Sequence, residues 1–195
     1  MTSIPDPRFY DQDSDKIADS YLDHILLALE VEDRGAPYRN FLDNWYAYRR
    51  AGHYLTSRGL PFWIKNACVQ KHGFALREMD FISTGAEEVL ELAYYDSDGY
   101  RRARDQKDKS VRLIVDHAIP IRVLIANISF EPAQTRKRLR AYLNENYRLG
   151  VITRAEHVRL GAAGLVSNVP RAWDGSPFAR YAHADISGTA SDKLG

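Results

Sequence analysis

Asp116-His117 and, farther along, His157 are the residues whose types and order could do chemistry in this chain. Asp116-His117-Ala118-Ile119-Pro120 closes the apolar run Val111-Arg112-Leu113-Ile114-Val115, and Pro120 turns the chain away. Val151-Ile152-Thr153-Arg154-Ala155-Glu156-His157 puts a histidine one turn into a helix that Thr153 would cap. Asp116 and His157 would offer one hard oxygen and one imidazole to a divalent cation, leaving His117 to deprotonate a water. Open positions on the cation would take a phosphate oxygen and that water, which is what phosphodiester hydrolysis needs. Taken singly, the same residues have plainer roles. An Asp-His pair before proline can be a turn with a local hydrogen bond, and His157 can be an exposed helix residue.

The elements that must hold these residues are legible in outline. Residues 1–14 are a polar lead-in, and Ile17, Tyr21, Ile25 and Leu29 predict a helix over about 15–31. After Gly35-Ala36-Pro37 a second helix is expected over 38–57, carrying Phe41, Trp45, Tyr48 and Leu55, and a third from Pro61 to near Gly73. Thr84, with Glu87 three residues on, opens a fourth. Val111–Val115 reads as a strand, and Ile119–Ile125 as a similar segment interrupted by Pro120. Glu131–Asn146 returns to helix. Leu149–Ile152 is a strand, and the helix after Thr153 stops at Gly161–Gly164. The end, from Ser187, is small and polar and is expected to fray. This predicts an α+β protein, mainly α: a helical lobe over 1–108, a ββα unit over 109–163 with a helical insertion, and a C-terminal segment over 164–195.

The stretch resembles the HNH, or ββα-metal, nucleases, and within them the colicin-type DNases. In those enzymes the first strand ends in a metal ligand, the general-base histidine, two residues and a proline, as in Asp116-His117-Ala118-Ile119-Pro120. Their second strand and helix read Val-x-Thr, three residues, then a ligand histidine, as Val151 to His157 do. The resemblance covers residues 111–163. It implies a metal-dependent endonuclease in which Asp116 and His157 bind the ion, Mg²⁺ before other divalent metals, and His117 is the base. Two departures stand out. The colicin pattern has a further histidine where this chain has Gly161, and Asn127, Asn144 and Asn146 all compete for the place of the structural asparagine.

Two basic clusters flank the stretch: Arg101, Arg102, Arg104, Lys107, Lys109 and Arg112 before it, and Arg136, Lys137, Arg138 and Arg140 inside it. They would contact phosphates of a nucleic acid, with DNA expected before RNA. Separately, each is equally a solvated helix face. With 27 basic and 26 acidic residues, any electrostatic footprint must be local. The aromatic residues Phe41, Trp45, Tyr46, Tyr48 and Tyr54 could stack bases, but their helical spacing suits core packing. A single cysteine, Cys68, excludes an internal disulfide and a zinc knuckle. The opening residues lack a signal-peptide pattern, and the apolar runs are too short to span a membrane, so the cytoplasm is the expected location. The competing expectation is a non-catalytic module that binds nucleic acid or protein, such as an interaction protein of a phage or mobile element.

Overall fold

In the computed structural model, the described residues are 14–51, 76, 79–95, 109–130 and 135–191. The chain divides into two compact units, Met1–Asn66 with Ile125–Glu145, and Ala67–Leu124 with Asn146–Gly195. This division differs from the expected one, because most of the helical insertion groups with the N-terminal helices rather than with the strands.

In the first unit, α1 (Ser14–Glu30) and α2 (Tyr38–Ala51) pack on each other. Ala18, Leu22, Ile25 and Ala28 of α1 are buried, at the spacing that makes one helix face, so the expected stripe is corrected: Ile17, Tyr21 and Leu29 flank that face, half-buried, and only Ile25 lies in it. Leu42, Trp45 and Tyr46 of α2 are buried too. Tyr48 stacks on Tyr21 with ring centroids 6.0 Å apart, and Phe41 lies 5.5 Å from His24. The aromatic stripe of α2 therefore packs the helix pair. The expected continuation of α2 to Ser57, the helix of 61–73, and Tyr54 and Cys68 lie outside the described residues.

The second unit is built on a four-stranded sheet in the order β2-β3-β1-β4. Its strands are β1 (Phe81–Ser83), β2 (Leu113–His117), β3 (Leu149–Thr153) and β4 (Gly188–Ala190). β2 is antiparallel to β3, with Asp116 opposite Gly150 and His117 opposite Leu149. β1 runs parallel to β3 and antiparallel to β4. The expected fray from Ser187 is thus corrected over 188–190, which form an edge strand on β1. Gly188 is required there, because a Cβ would lie 2.2 Å from the Ile82 carbonyl oxygen.

Helix α3 (Thr84–Tyr95) follows β1 directly and packs on β1 and β3. Its cap is Ser83, one residue earlier than expected, whose hydroxyl accepts from the Ala86 N–H at 3.0 Å. Helices α4 (Ile121–Phe130) and α5 (Arg136–Asn146) fill the stretch between β2 and β3, and α6 (Arg154–Ala162) follows β3. The strand-like reading of Ile119–Ile125 is corrected: from Ile121 on it is helical. Pro120 starts the helix, its carbonyl accepting from the N–H groups of Val123 and Leu124. A short helix, α7 (Ala179–His183), closes the chain back onto the sheet.

The core of this unit joins Phe81, Ala118, Ile152, Leu160, Leu165, Tyr181 and Ile186, with Ile114 packed against it. Side chains alternate across a strand, so Ile114 and Asp116 share the sheet face on which Leu160 of α6 and Tyr181 of α7 lie.

Candidate functional site

The strands and helix expected around Asp116 and His157 form as a β2-β3-α6 unit. Thr153 closes β3 and caps α6: its hydroxyl accepts from the Glu156 N–H at 3.2 Å, while the Glu156 carboxylate takes the Thr153 N–H at 2.7 Å. This reciprocal cap fixes where the helix starts and hence where His157 sits, half-buried, one turn before the core residue Leu160.

The three candidate side chains have different surroundings. Asp116 accepts from the Arg180 guanidinium and from the Tyr181 hydroxyl, the latter at 3.0 Å, both on its Oδ2. Arg180 is 1% exposed and its second terminal nitrogen donates to the carbonyls of Leu165 and Val166, at 2.7 and 3.0 Å. One buried guanidinium thus ties the chain just past α6 to the end of β2. Burial first, then the neighbouring Asp116 charge, pushes the Tyr181 hydroxyl well above the ordinary tyrosine range. Gly150 makes this packing possible, because a Cβ there would lie 2.6 Å from the Tyr181 oxygen.

His117, next in β2, faces the other side of the sheet by strand alternation. It is buried, edge-on to the Tyr147 ring at 5.7 Å. His157 has no hydrogen bond or ion pair among the described residues. No group of three or more His, Cys, Asp or Glu side chains that could hold a metal gathers among those residues. The Asp116 oxygen that faces the helices carries a guanidinium, and Asp116 and the adjacent histidine lie on opposite faces.

The basic residues separate in the same way. Arg136 makes a two-pronged contact with Asp23 of α1, its Nε at 2.7 Å, and Arg140 pairs with Asp19. These two are engaged within the first unit, whereas Lys137 and Arg138 are exposed, their side chains without a partner among the described residues. Arg101, Arg102, Arg104 and Lys107 lie outside the described residues, and Lys109 opens a 3₁₀ turn ahead of β2.

Arg112 is exposed and acquires a neighbour that sequence reading missed. The β2–β3 ladder runs one step beyond the strands, with the Arg154 N–H donating to the Arg112 carbonyl at 2.8 Å. Both arginines are exposed, and neither side chain has a partner among the described residues. A cation in a first helical turn meets the positive end of the helix dipole. Arg154 stands in such a turn, and His157 sits one turn along on the same helix. The sequence signal for Arg154 was its place after Thr153, opposite Arg112 once the register is known.

No family model, no curated protein and no solved structure matches this chain. Among the described residues no helix is long and apolar enough to cross a membrane.

Proposed function

We propose that the second unit is a nucleic-acid-binding module whose phosphate contacts come from Arg112 and Arg154, with His157 beside them. The observation that carries this reading is that two exposed arginines without side-chain partners among the described residues are joined through their backbones, the Arg154 N–H donating to the Arg112 carbonyl. A phosphate backbone supplies the missing negative charge and offsets the unfavourable placement of Arg154 at a helix start. Such contacts fix position rather than sequence. The test is fluorescence anisotropy with labelled duplex DNA and RNA over a salt series in EDTA. Arg112→Ala and Arg154→Ala should each reduce the salt slope by about 1 and weaken binding uniformly across sequences. Unchanged affinity and slope in both variants would overturn the assignment.

A second reading, HNH-like metal-dependent cleavage of phosphodiesters with His117 as base, is favoured by the order β2, β3, α6 around Asp116-His117 and His157. It is tested by plasmid nicking and RNA degradation with Mg²⁺ or Mn²⁺ against EDTA, comparing wild type with His117→Ala and His157→Ala. Metal-dependent cleavage lost in both variants would establish it. Cleavage by His117→Ala at the wild-type rate would remove it.

A further inference from the structure

Between α6 and α7 the chain makes an excursion over residues 163–178 that borders a wide, open depression of about 990 Å³. Its frame is held by its own hydrogen bonds. Asn168 donates to the Gly164 carbonyl at 3.0 Å and receives the Arg122 guanidinium on its Oδ1. The Trp173 indole donates to the Ser176 carbonyl at 2.8 Å, and the Asp174 carboxylate takes the Ser176 N–H at 2.9 Å. Gly175, at φ +91°, supplies the turn that a side chain would strain. Behind the frame, buried Arg180 pins the carbonyls of Leu165 and Val166. A cavity fixed in this way is pre-formed, so a ligand need not order it.

The lining divides into two kinds of surface. Leu165, Val169, Pro170 and Ala182 give an apolar wall, kept open by small side chains. Arg171, Asp174 and His183 are its ionisable groups. Arg171 and His183 have no hydrogen-bond or ion-pair partner among the described residues. Asp174 uses Oδ1 within its own turn. A few polar groups lining the same depression as an apolar wall are the make-up of a small-molecule site.

We propose that this cavity binds a nucleoside monophosphate group. A guanidinium and an imidazole suit the phosphate, the Asp174 carboxylate suits ribose hydroxyls as an acceptor, and the apolar wall suits a flat base. The same chemistry could come from a free mononucleotide or from the phosphorylated end of a nucleic-acid strand. The site is separate from Arg112 and Arg154 and does not depend on the assignment of that pair.

The experiment is calorimetric titration of the full chain with adenosine 5′-monophosphate and with adenosine. The expected result is saturable binding of the monophosphate, with adenosine and the Arg171→Ala variant each weaker by about tenfold or more. Arg171→Lys should restore part of the loss, and Arg112→Ala should leave mononucleotide binding unchanged. An oligonucleotide with a 5′-phosphate that displaces the mononucleotide, when its unphosphorylated counterpart does not, identifies a strand end as the occupant. Failure of both to displace it identifies the free nucleotide. No binding at millimolar monophosphate, adenosine binding equally well, or full binding by Arg171→Ala would overturn the proposal.

Discussion

The Ser83 hydroxyl donates to the Glu156 carboxylate at 2.6 Å, joining the end of β1 to the first turn of α6. The same Glu156 oxygen takes the Thr153 N–H and hydroxyl, and Ser83 in turn accepts from the Ala86 N–H. One buried carboxylate therefore organises the starts of two helices, α3 and α6, that follow neighbouring parallel strands. Gly85 lies close by, where a Cβ would approach Glu156 Oε1 to 3.0 Å. Replacing Glu156 by Ala strands the donors it serves and should cost roughly 1–3 kcal/mol of unfolding free energy in urea. The Ser83→Ala and Glu156→Ala losses should be less than additive in a double-mutant cycle. Additive losses would show that the two groups act independently.

The Asp116–Arg180 pair makes a sharper claim on stability. Arg180 is 1% exposed and the Asp116 side chain 13%, so removing either partner leaves a buried charge unmatched. Arg180→Met should lose about 3–5 kcal/mol, the range for breaking a buried pair from one side. Replacing both by apolar residues should recover part of the loss. A single substitution that leaves the denaturation midpoint in place would show that the pair does not hold the chain after α6 to β2.

Gly150→Ala tests the close approach of Tyr181 to β3. The new methyl would meet the Tyr181 oxygen at 2.6 Å and ring carbons at 3.1 and 3.2 Å. Overpacking of this kind should cost about 1–3 kcal/mol. Tyr181→Phe removes the closest atom, so the double variant should lose less than the sum of the two single ones. An unaltered midpoint for Gly150→Ala would mean that the ring moves aside at no cost.

Tyr181 also predicts a dependence on pH. Its folded-state value is raised, by burial first and then by Asp116, so the folded protein favours the protonated phenol. The stability tied to that phenol is full below the unfolded value of about 10 and declines as pH rises above it. Tyr21, Tyr38 and Tyr142 are raised by burial too, so the wild-type slope alone does not isolate Tyr181. The informative quantity is the difference between wild type and Tyr181→Phe, which should narrow between about pH 9.5 and 11.5. A difference constant across that window would contradict the assignment.

The sequence by itself determined the local elements whose signals are short-range. The β-branched run before Asp116, the Thr153 cap and the helical period of α1 each depend on neighbours a few residues away, although the buried face of α1 shares only Ile25 with the stripe expected from Ile17, Tyr21, Ile25 and Leu29. The general α+β, mainly helical class follows from them. Ile121–Ile125 misled because a short apolar run carries no reliable period, and Pro120 breaks a strand as readily as it opens a helix. β1 escaped notice for a related reason: three residues show no alternation. Its place is set by Asp80, whose N–H donates to the Leu149 carbonyl and whose carboxylate takes the Leu149 N–H.

Only the tertiary structure decided the partners of the candidate residues. Arg180 and Tyr181 reach Asp116 from 64 and 65 residues away, and nothing near Asp116 in the sequence announces them. The β2–β3 register set Arg112 opposite Arg154, and the docking of α6 and α7 on one sheet face decided which groups Asp116 meets there. Spacing along the chain cannot convey such facts, because a side chain's charge partner depends on which distant segments the buried core brings beside it.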